Sequence, residues 1–198
     1  FTRWGIFPRD FDNLIGILAA PFLHSDWEHL FSNTVPMLML LTMVMFFYKR
    51  IAVPSLVIIT LFTGFAVWLF ASESYHVGAS GVVYGLVGFL AWTGIFRRDL
   101  KSIILALVVL VTYSGYFGGI VPNKEGVSWE SHLFGALVGI FTAFLFKNVK
   151  DDEVEKPDPW ADEIGTEQFF LPRNTFEKTK QERYLESLYN LEEEEEDI

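Results

Sequence analysis

The stretch SYHVGASGVVYGLVGFLAWTGIF, residues 74–96, decides how this chain folds. It carries no Asp, Glu, Lys or Arg, and as a helix it is long enough to cross a hydrocarbon layer about 30 Å thick, which takes roughly 20 apolar residues. Outward from it lie further uncharged runs at His29–Tyr48, Ile51–Ser72, Ser102–Asn123 and Ser131–Phe146, the last shorter than the others. Backbone polar groups in lipid have to be satisfied within the segment, so such runs are helices unless they close a barrel. A barrel needs strands of about ten residues with alternating polarity, a pattern missing here. The expectation is an all-α polytopic membrane protein with five transmembrane helices.

Charge is segregated in the same sense. The chain has 198 residues, 51% of them apolar and 17% aromatic, and essentially all of its net charge of -10 comes from residue 148 onward. A soluble domain of this size spreads charge over its surface, so residues before that point read as membrane-embedded. Basic residues fall between the first two runs (Lys49, Arg50), between the third and fourth (Arg97, Arg98, Lys101), and after the fifth (Lys147, Lys150). In a five-span bundle these places share one side, which the positive-inside rule makes cytoplasmic.

Three regions follow. Residues 1–28 mix Asp and Pro with Trp4, Phe7, Phe11, Phe22 and Trp27, as suits a non-cytoplasmic loop lying partly in the interface. Residues 29–147 form the transmembrane core. Residues 148–198 form an acidic cytoplasmic tail, expected to be largely disordered with a short helix around 176–191. The chain opens at Phe1 without a basic n-region or cleavage site, so the expectation is a fragment lacking its N-terminal part, not one led by a signal peptide. There are no cysteines, hence no disulfides or thiolate metal sites.

Polar groups inside spans are costly and each calls for an explanation. His29 and Asn33 are four residues apart and share a helical face, as do Ser80 and Tyr84. By the topology above, His29, Ser80 and His132 all sit near the non-cytoplasmic ends of their spans. Gly81, Gly85 and Gly88 follow Ser80 along its helix, and Gly135 and Gly139 follow His132. Small residues at this spacing let transmembrane backbones approach closely, which would bring Ser80 Oγ within reach of His132. A serine nucleophile needs that contact, because its hydroxyl must lose a proton as it attacks. Gly78-Ala79-Ser80-Gly81 opens the helix, so the Ser80 N–H is unpaired there and, with the His29 and Asn33 side chains, is available to a developing oxyanion. Taken singly, each residue has an ordinary packing explanation; their joint occurrence favours catalysis.

His29-Leu30-Phe31-Ser32-Asn33, Gly78-Ala79-Ser80-Gly81 and His132-Leu133-Phe134-Gly135-Ala136-Leu137-Val138-Gly139 together resemble the His-x-x-x-Asn, Gly-x-Ser-Gly and His-x-x-Gly-x-x-x-Gly motifs of rhomboid proteases, in family order. The resemblance covers roughly residues 1–147 and implies a rhomboid-like bundle with five of an expected six helices, the sixth expected before Phe1. It implies an intramembrane serine endopeptidase with Ser80 as nucleophile and His132 as general base, without a carboxylate partner. Tyr84 would pack on the His132 ring, and His29, Asn33 and the Ser80 N–H would form the oxyanion hole. Gly78 would allow a tight approach to the helix, Gly81, Gly135 and Gly139 would support close packing, and His24 would shape the first loop. Tyr116-Phe117 would stand where the family has a lateral gate, although ordinary packing explains the pair as well.

The resemblance further implies membrane-protein substrates and a lipid bilayer as partners, with no nucleic acid, no metal and no organic cofactor. A bacterial inner membrane is the expected location. Two departures stand out: Ser131 occupies a position where the family often has Ala, and the Trp-Arg pair common in the first loop is not evident near residues 14–24. Two rival readings are a non-catalytic rhomboid-like protein that binds membrane clients and a transporter or channel subunit. The first would lack the Ser-His pair, and the second predicts charged or discontinuous helices at the midplane.

Overall fold

The computed structural model describes residues 2–122, 128–149 and 178–186. Residues up to Asp152 group as one compact unit and those from Glu153 as another. In the first, 3-10 turns at Thr2–Trp4 and Phe11–Asn13 lead to α1 (Gly16–Ala19) and a further turn at Ala20–Phe22. Then come α2 (Trp27–Phe47), α3 (Lys49–Phe70), α4 (Ser80–Arg97), α5 (Leu100–Thr112), a 3-10 segment at Ser114–Ile120, and α6 (Trp129–Leu145). The described residues contain no β-strand, only an isolated antiparallel bridge between Ile6 and His76. This is the helical bundle the sequence predicts.

Helix boundaries follow from capping chemistry. Asp26, Asp99 and Ser128 precede α2, α5 and α6, and their side chains accept hydrogen bonds from the N–H groups of His29, Ser102 and Ser131. The His29 N–H, followed by the Ser25 hydroxyl, holds the Asp26 carboxyl below its usual value of 3.8. The α2 cap is therefore intact at neutral pH and is lost only as pH falls through that lowered value. α4 has no side-chain cap and ends on Arg98 in the left-handed conformation (φ 58°).

α4 is the central helix. Its most apolar window is 67% buried, against 33% for α3 and 17% for α2, and its most extensive contact is with α6. Glycine makes that contact possible. A Cβ on Gly135 would run into the Gly81 carbonyl, and one on Gly139 into the Gly85 carbonyl; a Cβ on Gly88 would stand 2.7 Å from the Ala136 carbonyl oxygen. The basic end is tied by Arg97, which donates to the Val149 carbonyl at 2.6 Å, and by buried Tyr48, which donates to Ser102 Oγ at 3.0 Å. At the opposite end the N-terminal segment packs on α3: Trp68 Nε1 donates to the Asp10 carbonyl, and Ile6, Ala20, Val67, Trp68 and Ala71 form a small apolar cluster.

Two spans depart from expectation. The run from Ser102 to Asn123 is not one helix, because α5 stops at Thr112 and the chain bends by 66° into Ser114–Ile120. Gly115, Gly118 and Gly119 lie in that bend, where glycine weakens helix propagation. The run from Ser74 begins as extended chain, since Ile6 and His76 exchange backbone hydrogen bonds and the Gly78 N–H donates to the Ala20 carbonyl, leaving Gly78 at φ 102°. Among the described residues three helices (α2, α3 and α4) are long and apolar enough to cross a membrane, and a fourth crossing results if the bent pair counts as one span. α6, with 17 residues, is shorter.

In the second unit, residues 180–186 are helical. Thr179 and Glu182 form a reciprocal capping box at its start. The rest of the expected 176–191 helix and the Glu-rich end lie outside the described residues.

The α4–α6 contact is backbone against backbone, so a side chain added there has nothing flexible to displace. Gly139→Val is expected to lower stability by about 3 kcal/mol or to prevent folding, at the upper end of overpacking costs. Exposed Gly118, where a Cβ meets none of the described residues within 4 Å, should tolerate Ala with little change. Thermal unfolding of both variants in detergent checks the contrast.

Candidate active site

Ser80 is the first residue of α4, so its backbone N–H belongs to the four that an α-helix leaves without an internal partner. It opens onto a cavity of about 1900 Å³, counting the solvent-open space above it. The same cavity is lined by His29 and Asn33 from α2, Tyr84 from α4, Tyr116 from the segment after α5, and His132 from α6. Three helices separated in sequence thus bring the Ser80 hydroxyl, the His29 and His132 imidazoles and the Asn33 amide to one opening, with Tyr116 added from a fourth segment. Gly81, Gly135 and Gly139 are buried at the α4–α6 contact behind it.

His132 is 7% exposed and its ring is held on two sides. It stacks on Tyr84, with ring centroids 4.1 Å apart and planes 10° from parallel. The Tyr84 hydroxyl donates to the Tyr116 carbonyl at 2.8 Å, which holds the stack in place. His132 Nδ1 lies 2.9 Å from the carbonyl oxygen of Gly119. A carbonyl only accepts, so Nδ1 carries a proton, and in the neutral ring Nε2 keeps its lone pair. A main-chain carbonyl therefore does here what a carboxylate does in a Ser-His-Asp triad: it sets the tautomer. The described residues include no hydrogen bond between Ser80 Oγ and His132.

The opposite wall is built at the start of α2. Asn33 is 5% exposed, and its Nδ2 donates one hydrogen to the His29 carbonyl at 3.0 Å, while the second has no hydrogen-bond partner among the described residues. His29 Nδ1 lies 3.1 Å from Ser25 Oγ. Gly78 brings the chain leading to Ser80 close against this wall, since a Cβ there would stand 2.5 Å from His29 Nε2 and 3.3 Å from Asn33 Nδ2. Its positive φ is a second reason for glycine at this position. His24 makes an edge-on contact with His29, centroids 5.1 Å apart, and burial followed by the charge of His29 lowers its pKa. Phe117 is exposed, whereas its neighbour Tyr116 is joined to the site through its carbonyl.

Some residues at this opening have no counterpart in the sequence reading. The Gly119 carbonyl left no trace there, because any residue supplies one. His76, Ser128 and Glu130 also line the cavity.

A sequence profile of the Rhomboid domain matches residues 12–149. Uncharacterized proteins of Mycobacterium bovis and Mycobacterium tuberculosis are 37% identical over 150 residues, covering 71% of this chain and 62% of theirs. One from Mycobacterium leprae is 35% identical over 143 residues, covering 68% of this chain and 57% of its own. The chain thus spans less than two thirds of the length of these relatives. No solved structure matches it significantly. With its apolar helices and a matching profile over most of its length, this chain is a multi-pass integral membrane protein and belongs to the rhomboid family.

Proposed function

We propose that this protein is an intramembrane serine endopeptidase that hydrolyses peptide bonds in or near the transmembrane helices of other membrane proteins. The observation that carries this reading is the shared cavity of Ser80, His132, His29 and Asn33, with His132 Nδ1 occupied by the Gly119 carbonyl and Nε2 left basic. Rhomboid proteins are generally intramembrane serine proteases, which agrees with that chemistry.

Ser80 Oγ attacks the scissile carbonyl carbon while His132 Nε2 takes its proton. The carbonyl oxygen becomes an oxyanion facing the Ser80 N–H, the second Asn33 amide hydrogen and His29 Nε2. For neutral His29 to donate from Nε2, Ser25 has to give its hydroxyl proton to Nδ1 rather than to Asp26, and both are within reach. The tetrahedral intermediate collapses with cleavage of the C–N bond, and the His132 proton leaves on the new amine. Water then loses a proton to His132 and attacks the Ser80 ester; the acyl C–Oγ bond breaks, the carboxylic acid product leaves, and His132 returns the proton to Ser80 Oγ. A substrate helix has to unwind locally, because its own hydrogen bonds shield its carbonyls. That requirement favours helix-breaking or small residues near the outer face.

The basic residues Lys49, Arg50, Arg97, Arg98, Lys101 and Lys147 put the α2–α3 and α4–α5 connections and the end of α6 on the cytoplasmic side. The site then opens at the opposite face, and the acidic tail is cytoplasmic. A bacterial inner membrane suits this arrangement and the mycobacterial relatives.

Two measurements on the full-length protein in proteoliposomes test the reading. Ser80→Ala and His132→Ala should each reduce cleavage of a reporter transmembrane substrate by about a thousandfold or more, with folding intact; equal cleavage by both variants and wild type would exclude the dyad. Asn33→Ala removes one oxyanion donor and should lower kcat by about a hundredfold with KM nearly unchanged. A rise in KM alone would instead make Asn33 a substrate-binding residue. Failure of the wild type to cleave several unstable helices would favour a client-binding role.

A further inference from the structure

The glycine contact fixes how close α4 and α6 come, but their outer ends, where Ser80 and His132 stand, are joined by a separate polar clasp. Its centre is His76, which is 4% exposed and lies in the extended chain before α4. Its Nδ1 is 2.6 Å from Ser128 Oγ, and its Nε2 is 3.1 Å from the Ser72 carbonyl oxygen. The carbonyl accepts only, so Nε2 carries a proton; in the neutral ring Nδ1 then accepts from the Ser128 hydroxyl. Ser128 is the N-cap of α6, and its oxygen accepts from the Ser131 N–H and lies 2.8 Å from the Ser131 hydroxyl.

The placement is symmetrical. His76 precedes Ser80 by four residues, and Ser128 precedes His132 by four. The backbone of His76 is itself anchored, exchanging both bridge hydrogen bonds with Ile6 at 2.9 Å. Beside it Glu130, in the first turn of α6, accepts from the Ser72 hydroxyl at 2.6 Å, a second tie between the same two segments.

We propose that His76 is a positioning residue for this site: by holding the Ser128 cap, it sets where His132 stands relative to Ser80. The inference rests on the Ser80–His132 protease reading. His76 does not reach the reacting atoms in this role. Its effect is on the alignment of the base, where a shift of about 1 Å can cost on the order of a hundredfold in rate.

The test is kinetic, on the full-length protein in proteoliposomes. It compares kcat and KM for a reporter substrate with the rate at which a fluorophosphonate labels Ser80, and follows thermal unfolding alongside. His76→Ala should lower both kcat and the labelling rate by about tenfold or more while KM stays within about twofold. His76→Asn, whose amide overlies Nδ1, should recover most of the rate; His76→Gln, which reaches toward the Ser72 carbonyl instead, should not. Ser128→Ala should match His76→Ala, and the double variant should be no slower than either, as expected for two members of one link.

Normal kcat in His76→Ala would overturn the proposal, as would an effect confined to KM. Equal rescue by Asn and Gln would also overturn it, since that result belongs to general packing. If His76→Ala fails to fold, the Asn and Gln variants decide between the same outcomes. A wild type that neither cleaves nor labels would instead overturn the protease reading, and this inference with it.

Discussion

The bundle depends on the contact between two backbones. Where α4 and α6 cross, Gly135 and Gly139 lie against the carbonyls of Gly81 and Gly85, with no room for a Cβ between them. In lipid, helix association has no hydrophobic effect to draw on and relies on close van der Waals packing. Glycine at this crossing therefore makes the association possible and also fixes its geometry. Ser80 starts one of these helices, and His132 lies one turn into the other. A wider crossing would separate the two groups even with every polar residue unchanged.

Around that crossing, polar groups are arranged so that few are left to chance. His132 has Tyr84 against its face and the Gly119 carbonyl on Nδ1. The Gly119 contact depends on the bend after α5, because a helix running straight on to Asn123 would have used that carbonyl within its own hydrogen-bond ladder. Irregular backbone at membrane depth is tolerated where it is packed in protein or lines a water-filled cavity, and this segment meets that condition through Tyr116. Likewise the extended chain at 74–79 departs from helix where the bridge to Ile6 and the bond to Ala20 satisfy its backbone.

Much of this was legible in advance. The apolar runs fell on helices, those from Ser74 and Ser102 only in part, because length and lack of charge leave a lipid-embedded chain few other ways to satisfy its backbone. The Gly-x-Ser-Gly and His-x-x-Gly-x-x-x-Gly patterns carried the packing rule with them, so the small residues marked the helix face as well as the neighbours. Ser131 registered only as a departure from the family pattern, and in the structure its N–H and hydroxyl both engage the α6 cap. His76 stayed silent because nothing local distinguishes a buried histidine that holds a cap from one that fills space.

The sequence by itself determined which segments are apolar, where basic residues fall between them, and which polar side chains helices built from them would have to explain. Those properties are local: they follow from residue type and spacing along one chain. Only the tertiary structure decided that the fourth run breaks after Thr112, that Gly119 supplies the acceptor for His132, and that His76 reaches Ser128, 52 positions further along the chain. Each of these depends on a carbonyl or hydroxyl meeting a partner from a distant segment, and a carbonyl looks the same in every residue until the fold has placed it.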